Sequence, residues 1–201
     1  MKKQNKIIFL DHDGVVCLSE QWGSRFKKAR KWMMDESLPE HAPNVINEKS
    51  RPIHVRLDNF DEKAVKVLNR ILEATDAEIV VSSDWKLHAT LEEMQELYRL
   101  YGVNKVPIAF TPRLEDFDES SAGMFRWKGW LERARCLEIQ NWLSNNEVDT
   151  WVAVDDLNMS NEYLQPGLDH FVLTPRSSEG IKQSGIAEKI IQILNNEVTG
   201  K

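Results

Sequence analysis

The fold is decided by one stretch near the start of the chain, IIFLDHDGVV at residues 7–16. Four consecutive apolar residues bounded by an acid indicate a strand buried on both faces, and such strands usually belong to parallel sheets. The strand ends in two carboxylates, Asp11 and Asp13, and Gly14 then allows the backbone to turn sharply. Because open sheets bind ligands beyond the carboxyl ends of their strands, we expect both acids at a binding site.

Asp11 and Asp13 have the chemistry needed to act on a phosphoryl group. One carboxylate can attack phosphorus while the other moves the proton. Both also attract a hard cation, and Mg²⁺ prefers one or two carboxylates together with waters and phosphate oxygens. The plain alternative is an Asp-Gly turn after a strand, because Asp-x-Asp-Gly is a weak motif when it stands alone. The rest of the chain has to decide between the two interpretations.

Strands and helices alternate along the rest of the chain. Asp61 is a candidate helix cap, and Thr90 with Glu93 forms a capping box. The alternation predicts an α/β fold, a three-layer Rossmann-like parallel sheet with helices on both faces, in which residues 1–201 form a single domain. Apolar runs predict further strands over residues 77–81, 106–110, 150–154 and 171–173, and helical periodicity predicts helices over 133–144 and 186–194.

Polar residues follow two of these further strands. Ser82 and Ser83 come directly after the second strand, and Asp155 and Asp156 come after the fourth. Parallel strands present their carboxyl ends at one edge of a sheet. We therefore expect Ser82 and Asp156 to converge there with the two acids that follow the first strand.

Residues 19–59 interrupt the alternation, and we interpret them as a small helical insertion that acts as a cap or lid. Between residues 21 and 56, eight Lys and Arg stand against four Asp and Glu, in a chain of net charge −6. The cations form either a solvated helix face or the outer face of a lid that attracts anions: Arg25, Lys27, Lys28, Arg30 and Lys31. Apolar residues at helical spacing favour core packing, with stacking on a base as the alternative: Trp22, Phe26, Ala29 and Met33.

The composition, with 41% hydrophobic and 29% charged residues, is that of an ordinary soluble globular protein. The net charge of −6 argues against a general nucleic-acid coat protein, which is normally basic. Two cysteines far apart predict no disulfide framework and fit a reducing cytoplasm. No apolar stretch approaches membrane-spanning length, so we expect no membrane partner, and no obligate protein partner is evident.

Taken in order, the motifs resemble those of the haloacid dehalogenase (HAD) superfamily of phosphohydrolases, and the resemblance covers most of the chain. FLDHDGV at 9–15 is similar to the first motif, VVSS at 80–83 to the second and VAVDD at 152–156 to the fourth. Three further patterns resemble the branch found as a domain in nucleic-acid repair proteins: SSDW at 82–85, FTP at 110–112 and RxxEIxxWL at 135–143.

The resemblance implies roles for the acids. Asp11 is expected to be the nucleophile. Asp13 is expected to be the general acid/base, with its backbone carbonyl on Mg²⁺. Asp156 is expected to be the second carboxylate ligand of the metal, with Asp155 in support, whereas His12 receives no role.

Two motif positions have competing candidates. Ser82 directly follows its strand and is the choice for hydrogen-bonding the transferring phosphoryl oxygens, with Ser83 close enough to share that role. The family places Lys or Arg near the start of the helix before the fourth strand, and Arg135 is our choice, with Arg133 and Lys128 as competitors. Its charge is expected to steady the nucleophile and the phosphoryl oxygens, the alternative being a surface arginine at a helix start.

These observations favour a Mg²⁺-dependent phosphatase, a phosphoric monoester hydrolase that acts through an aspartyl-phosphate intermediate. The small insertion leaves the site open, so the expected partner is a phosphorylated small molecule, a nucleotide or the phosphorylated end of an oligonucleotide. The alternative is a catalytically weak module that keeps the fold for binding or regulation. The presence of both Asp11 and Asp13 argues against that alternative.

Overall fold

The structure, a computed structural model, describes residues 4–34, 51–114, 129–160 and 167–196. Strands and helices alternate after the first strand and its insertion, and a short 3₁₀ helix, Asp84–Leu87, follows the second strand. The elements in chain order are β1 (Lys6–Leu10), α1 (Ser24–Met33), α2 (Ile53–Arg56), α3 (Glu62–Thr75), β2 (Glu78–Val81), α4 (Leu91–Leu100), β3 (Ala109–Phe110), α5 (Trp130–Ser144), β4 (Thr150–Asp155), β5 (Phe171–Leu173) and α6 (Ile186–Leu194).

The described strands form one parallel sheet in the order β3-β2-β1-β4-β5. β1 lies at the centre of the sheet, and its last four residues are buried, as its continuous apolar run predicted. In the register of the sheet, Leu10 pairs with Val81 on one side and with Val154 on the other. The residues that follow these three strands therefore leave the sheet at the same level.

Helices cover both faces of the sheet, which confirms the predicted three-layer arrangement. Alternate residues of β1 point to opposite faces. Ile8 and Leu10 belong to the larger core cluster, which includes the buried residues of α3, α4 and α6. Ile7 and Phe9 belong to a second cluster, in which α5 contributes Cys136.

Local signals set the helix ends where the sequence predicted them. The Asp61 side chain accepts a hydrogen bond from the N–H of Ala64 (2.9 Å) and caps α3. Thr90 and Glu93 form the reciprocal capping box that begins α4. Within the described ranges, no helix is both long enough and apolar enough to cross a membrane.

Two elements differ from the predicted boundaries. β3 pairs over only two residues at the edge of the sheet, and the carbonyl of Pro107 before it accepts a hydrogen bond from the Gln95 side chain (2.9 Å). α5 begins at Trp130 rather than at residue 133, directly after Gly129, which has a left-handed conformation (φ +88°). The sequence between residues 113 and 132 has no clear helical or strand periodicity, and most of it, like Pro166, lies outside the described residues.

The apolar stripe of the insertion does not pack as predicted. Of its four residues only Ala29 is buried, whereas Phe26 is 67% exposed and Trp22 and Met33 are each about half exposed. The N-terminal end of α1 is instead fixed by Asp58, which accepts hydrogen bonds from the backbone N–H groups of Gly23 (3.1 Å) and residue 25 (2.7 Å). Gly23 at the helix N-cap has no side chain that could accept these bonds, so the carboxylate of Asp58, from the segment before α3, supplies the cap.

Candidate active site

The end of β1 places Asp11 in the middle of the candidate site. Its N–H donates a hydrogen bond to the carbonyl of Val154 (3.0 Å), which extends the pairing with β4 by one residue, and its side chain is buried. Gly14 then adopts φ +68°, and a Cβ there would lie 2.3 Å from a carboxylate oxygen of Asp156. Glycine is required by the backbone conformation and by the close approach of that carboxylate.

Arg135, in the second turn of α5, is a buried cation among these acids. Its Nη1 donates hydrogen bonds to Asp11 Oδ1 (3.0 Å), to Asp155 Oδ2 (2.9 Å) and to the carbonyl oxygen of Ser82. Its Nη2 contacts Asp84 Oδ1 at 3.3 Å. One guanidinium therefore joins the carboxyl ends of β1, β2 and β4.

A second ion pair attaches α5 to the same edge of the sheet. The Nζ of Lys86 pairs with the carboxylate of Glu138 and donates a hydrogen bond to Thr111 Oγ1 (2.9 Å), and the side chains of the ion pair are largely buried. Glu138 lies three residues after Arg135, so this ion pair holds the face of the helix that carries the guanidinium. Sequence reasoning gave these residues no role, although Glu138 is part of the RxxEIxxWL pattern.

Three carboxylates form a cluster at this edge. Asp11, Asp155 and Asp156 each offer an oxygen, and the three oxygens lie within 4.8 Å of one another. Carboxylate oxygens are the ligands of hard divalent cations, and Arg135 supplies a single positive charge beside three acids. The donor set fits a divalent metal. Two of the expected ligands, Asp11 and Asp156, belong to it.

The pKa values of the three carboxyl groups also favour a bound cation. Burial raises the pKa of Asp11 well above its usual value, the charge of Asp155 adds to this, and Arg135 opposes it. Burial also raises the pKa of Asp155 to about 6 against the opposing effect of Arg135, and it raises the pKa of Asp156. Neighbouring carboxylates that resist ionisation are stabilised in their charged form by a bound cation.

Asp13 has a different environment from Asp11. Its carboxylate contributes no oxygen to the cluster, and its Oδ2 accepts a hydrogen bond from the indole Nε1 of Trp85 (2.8 Å). Burial raises the pKa of Asp13, and the Trp85 indole and the Cys17 thiol oppose that rise.

His12, between the two acids, belongs to a buried aromatic cluster. Its Nε2 lies 2.8 Å from the hydroxyl of Tyr98, and its ring packs against those of Phe60 and Trp85. Burial, with a smaller effect of Arg135, lowers the pKa of the imidazole to about 3. The side chain is therefore neutral at physiological pH and has a packing role.

The competing candidates at two motif positions have different environments. Ser82 Oγ is buried and has no hydrogen-bond partner in the part of the chain that the structure describes. The Ser83 hydroxyl instead accepts a hydrogen bond from the backbone N–H of Trp85 (3.5 Å), and it lowers the pKa of Asp11 against the effect of burial. At the other position, Arg133 is exposed on α5 and Lys128 lies outside the described residues.

Residues 7–185 match the family described as the HAD domain in Swiss Army Knife RNA repair proteins. The chain belongs to this family. The match includes β1, β2 and β4 with the residues that follow them, and it supports phosphohydrolase-type chemistry in broad terms. No curated protein and no solved structure matches the chain.

Proposed function

We propose that this HAD domain is a Mg²⁺-dependent phosphatase that hydrolyses a phosphomonoester through an aspartyl-phosphate on Asp11. The observation that carries the proposal is the separation of the two acids after β1. The Asp11 carboxylate belongs to the cluster and pairs with Arg135, whereas that of Asp13 is held apart by Trp85. Two carboxyl groups in different environments can divide the roles of nucleophile and acid/base.

In the first step, a carboxylate oxygen of Asp11 attacks phosphorus and the ester P–O bond breaks. Asp13, as the carboxylic acid, gives its proton to the departing oxygen, so the alcohol leaves neutral. The raised pKa of Asp13 favours the protonated form that this step needs. Arg135 and the hydroxyl of Ser82, which has no partner among the described residues, are the groups that we assign to the phosphoryl oxygens.

In the second step, water attacks the phosphorus of the aspartyl-phosphate. Asp13, now a carboxylate, accepts a proton from that water as the bond between phosphorus and Asp11 breaks. Inorganic phosphate leaves, and both acids return to their starting states. Asp13 thus serves first as general acid and then as general base, which returns it to its starting protonation state.

Mg²⁺ is the metal that we assign to the cluster. Asp11 and Asp156 would hold it, with the backbone carbonyl of Asp13, and Asp155 would support the site from its contact with Arg135. When bound, the ion supplies positive charge that offsets the charge on the phosphoryl oxygens and on the carboxylates.

For the substrate we propose the phosphorylated end of a nucleic acid, with RNA preferred. The family description names RNA repair, and the insertion offers a basic surface beside an exposed ring. A groove of about 670 Å³ on α1 is lined by Phe26, Lys27, Arg30, Lys31 and Met34. Cations that contact phosphates and an aromatic ring on which a base stacks are the two components of single-strand binding.

We also propose that residues 19–59 form the lid of a single domain. Asp58 and Arg25, which tie α1 to the returning chain at 3.1 Å, lie close enough to Asp13 to affect its pKa in opposite directions. The insertion therefore adjoins the acid/base.

The two buried cysteines, neither in a disulfide, support our assignment of the enzyme to the cytoplasm.

The first test is hydrolysis of para-nitrophenyl phosphate with Mg²⁺ and with EDTA. We expect turnover that needs the metal. A screen of phosphorylated metabolites, nucleotides and end-phosphorylated oligonucleotides then tests the substrate, and RNA ends should give higher kcat/KM than DNA ends of the same sequence. The binding-module alternative is favoured if the purified protein binds RNA but hydrolyses none of these esters.

A further inference from the structure

Trp85 takes no part in the bond changes of the two steps above, although its indole contacts the carboxylate of the acid/base. It belongs to the 3₁₀ helix after β2, and only 4% of it is exposed. Its indole Nε1–H donates a hydrogen bond to Oδ2 of Asp13 (2.8 Å). Hydrogen bonds to carboxylates are stronger and more directional than those between neutral groups, so the indole restricts the orientation of this acid.

The indole itself has little freedom to move. Its ring centroid lies 4.7 Å from that of His12 and 5.7 Å from that of Phe60, whose ring stacks nearly parallel to it. Phe60 stacks in turn on Tyr101 of the segment after α4, at 4.9 Å. Aromatic rings in such contacts are held in one orientation by the packing around them. The direction of the N–H is therefore set by several elements of the fold.

We propose that Trp85 is a positioning residue that holds the Asp13 carboxyl for proton transfer to the leaving group. The inference rests on the proposed function. With Oδ2 engaged by the indole, the transferable proton of the acid is on Oδ1. As the P–O bond of the ester breaks, its electron pair stays on the departing oxygen, and that oxygen receives the Oδ1 proton.

This role predicts a dependence on the leaving group. An alkoxide is a poor leaving group and needs the proton, whereas para-nitrophenolate leaves readily without it. Loss of the indole N–H should therefore slow the hydrolysis of alkyl phosphates and spare para-nitrophenyl phosphate. Because kcat/KM reports the steps up to the first transfer, it isolates this effect from the later use of Asp13 as a base.

The experiment compares kcat/KM for an alkyl phosphate and for para-nitrophenyl phosphate in Trp85→Phe, which keeps a ring and removes the N–H. We expect a loss of about 10- to 100-fold for the alkyl ester, smaller than the roughly 100- to 10,000-fold of general acid catalysis because Asp13 itself is still present, and less than about threefold for the aryl ester. A second variant carries 3-benzothienylalanine at position 85, in which sulfur replaces the N–H in a ring of the same shape. It should reproduce the selectivity without a packing defect.

Trp151→Phe is the matched control. Trp151 packs against Phe9 in β1 and against His170, at the end of β4 remote from the site, and both rates should stay near wild type. Equal losses on both esters in the two position-85 variants, or no loss on either, would overturn the positioning role.

Asp13→Asn separates failure of the inference from failure of the proposed function. It should show the same selectivity for leaving groups, with a larger loss. If it does so and the position-85 variants do not, only the role of Trp85 is wrong. If Asp13→Asn slows both esters equally, the assignment of the acid is wrong, and the inference fails with it.

Discussion

Arg135 and the cations of α1 carry the same charge in opposite environments. The Arg135 side chain is 7% exposed and contacts Asp11 and Asp155 at 3.0 and 2.9 Å. Lys27, Arg30 and Lys31 are exposed on the outer surface of the insertion. A buried cation is screened little and affects groups at contact distance, whereas exposed cations act at longer range and lose their effect in salt. The comparison predicts that Arg135 affects the chemistry and α1 affects only substrate association.

The largest effect should come from the centre of the buried region. Asp11→Asn keeps the size of the side chain and removes the proposed nucleophile, so kcat/KM for para-nitrophenyl phosphate should fall at least about a thousandfold. Asp169→Asn, an exposed acid before β5, is the matched control and should keep the wild-type rate. Near-native turnover in Asp11→Asn would rule out covalent catalysis at this residue.

Arg135→Met tests how much the buried cation contributes to the stability of the fold. It leaves buried carboxylates without their cation and should cost about 3–5 kcal/mol of unfolding free energy, measured by denaturation in urea at pH 8 without metal. Arg30→Met is the same substitution on the exposed surface of α1 and should change stability by less than about 0.5 kcal/mol. Similar losses in the two variants would mean that the two environments do not differ as described.

The loss in Arg135→Met should also depend on pH. Burial raises the pKa of Asp155 in the folded protein to about 6, against the opposing effect of Arg135, and the variant removes that opposition. A folded state with a raised carboxyl pKa binds the proton more tightly than the unfolded chain, so it gains stability as pH falls and loses it as pH rises. The destabilisation should therefore be smaller at pH 5 than at pH 8, and the reverse trend would contradict the account.

Metal binding should stabilise the buried region measurably. At a concentration 100 times the dissociation constant, a ligand specific for the folded state adds about 2.7 kcal/mol. Mg²⁺ should therefore raise the melting temperature of the wild type, and Asp156→Asn should lose most of that rise and need far more metal for activity. A melting temperature that does not respond to Mg²⁺, with activity unaffected by EDTA, would show that the cluster holds no functional metal.

The smallest effect should come from α1. Lys28 donates hydrogen bonds to the Leu57 carbonyl and to Asn59 Oδ1, both at 2.7 Å, so its replacement would disturb the insertion itself. Lys27→Glu with Lys31→Glu changes exposed charge alone. At low ionic strength it should raise KM several-fold for a phosphorylated oligonucleotide, with kcat and the hydrolysis of para-nitrophenyl phosphate nearly unchanged.

High salt should abolish the difference between the α1 variant and wild type. If both substrates respond equally at every salt concentration, or neither responds, the cations of α1 are a solvated surface and no part of a lid.

The sequence was sufficient for the sheet and for the residues at its edge. Unbroken apolar runs indicate buried parallel strands, and the carboxyl ends of parallel strands lie at the same edge of the sheet. The sequence therefore predicted that Asp11, Ser82 and Asp156 lie close together. β3 was overestimated because an apolar run does not show where pairing at a sheet edge begins. Arg135 could be chosen only through the resemblance, since many cations lie near helix starts.

Other contacts could not be predicted from the sequence. Trp85 and Asp13 are 72 residues apart, and their hydrogen bond depends on the turn of a 3₁₀ helix that returns the indole to β1. The exposure of Phe26 was mispredicted because periodicity identifies an apolar helix face and not what covers it. The missed contact and the wrong prediction both concern tertiary partners, which local patterns do not specify.

The most direct test of the account is to trap the phosphorylated enzyme. Wild type mixed with Mg²⁺ and a phosphomonoester is quenched in acid, the acyl-phosphate is reduced with borohydride, and mass spectrometry locates the resulting homoserine. The account predicts this modification at position 11, and predicts none with EDTA or in Asp11→Asn. Turnover at the normal rate with no modification at Asp11, or with modification at another carboxylate, would contradict it.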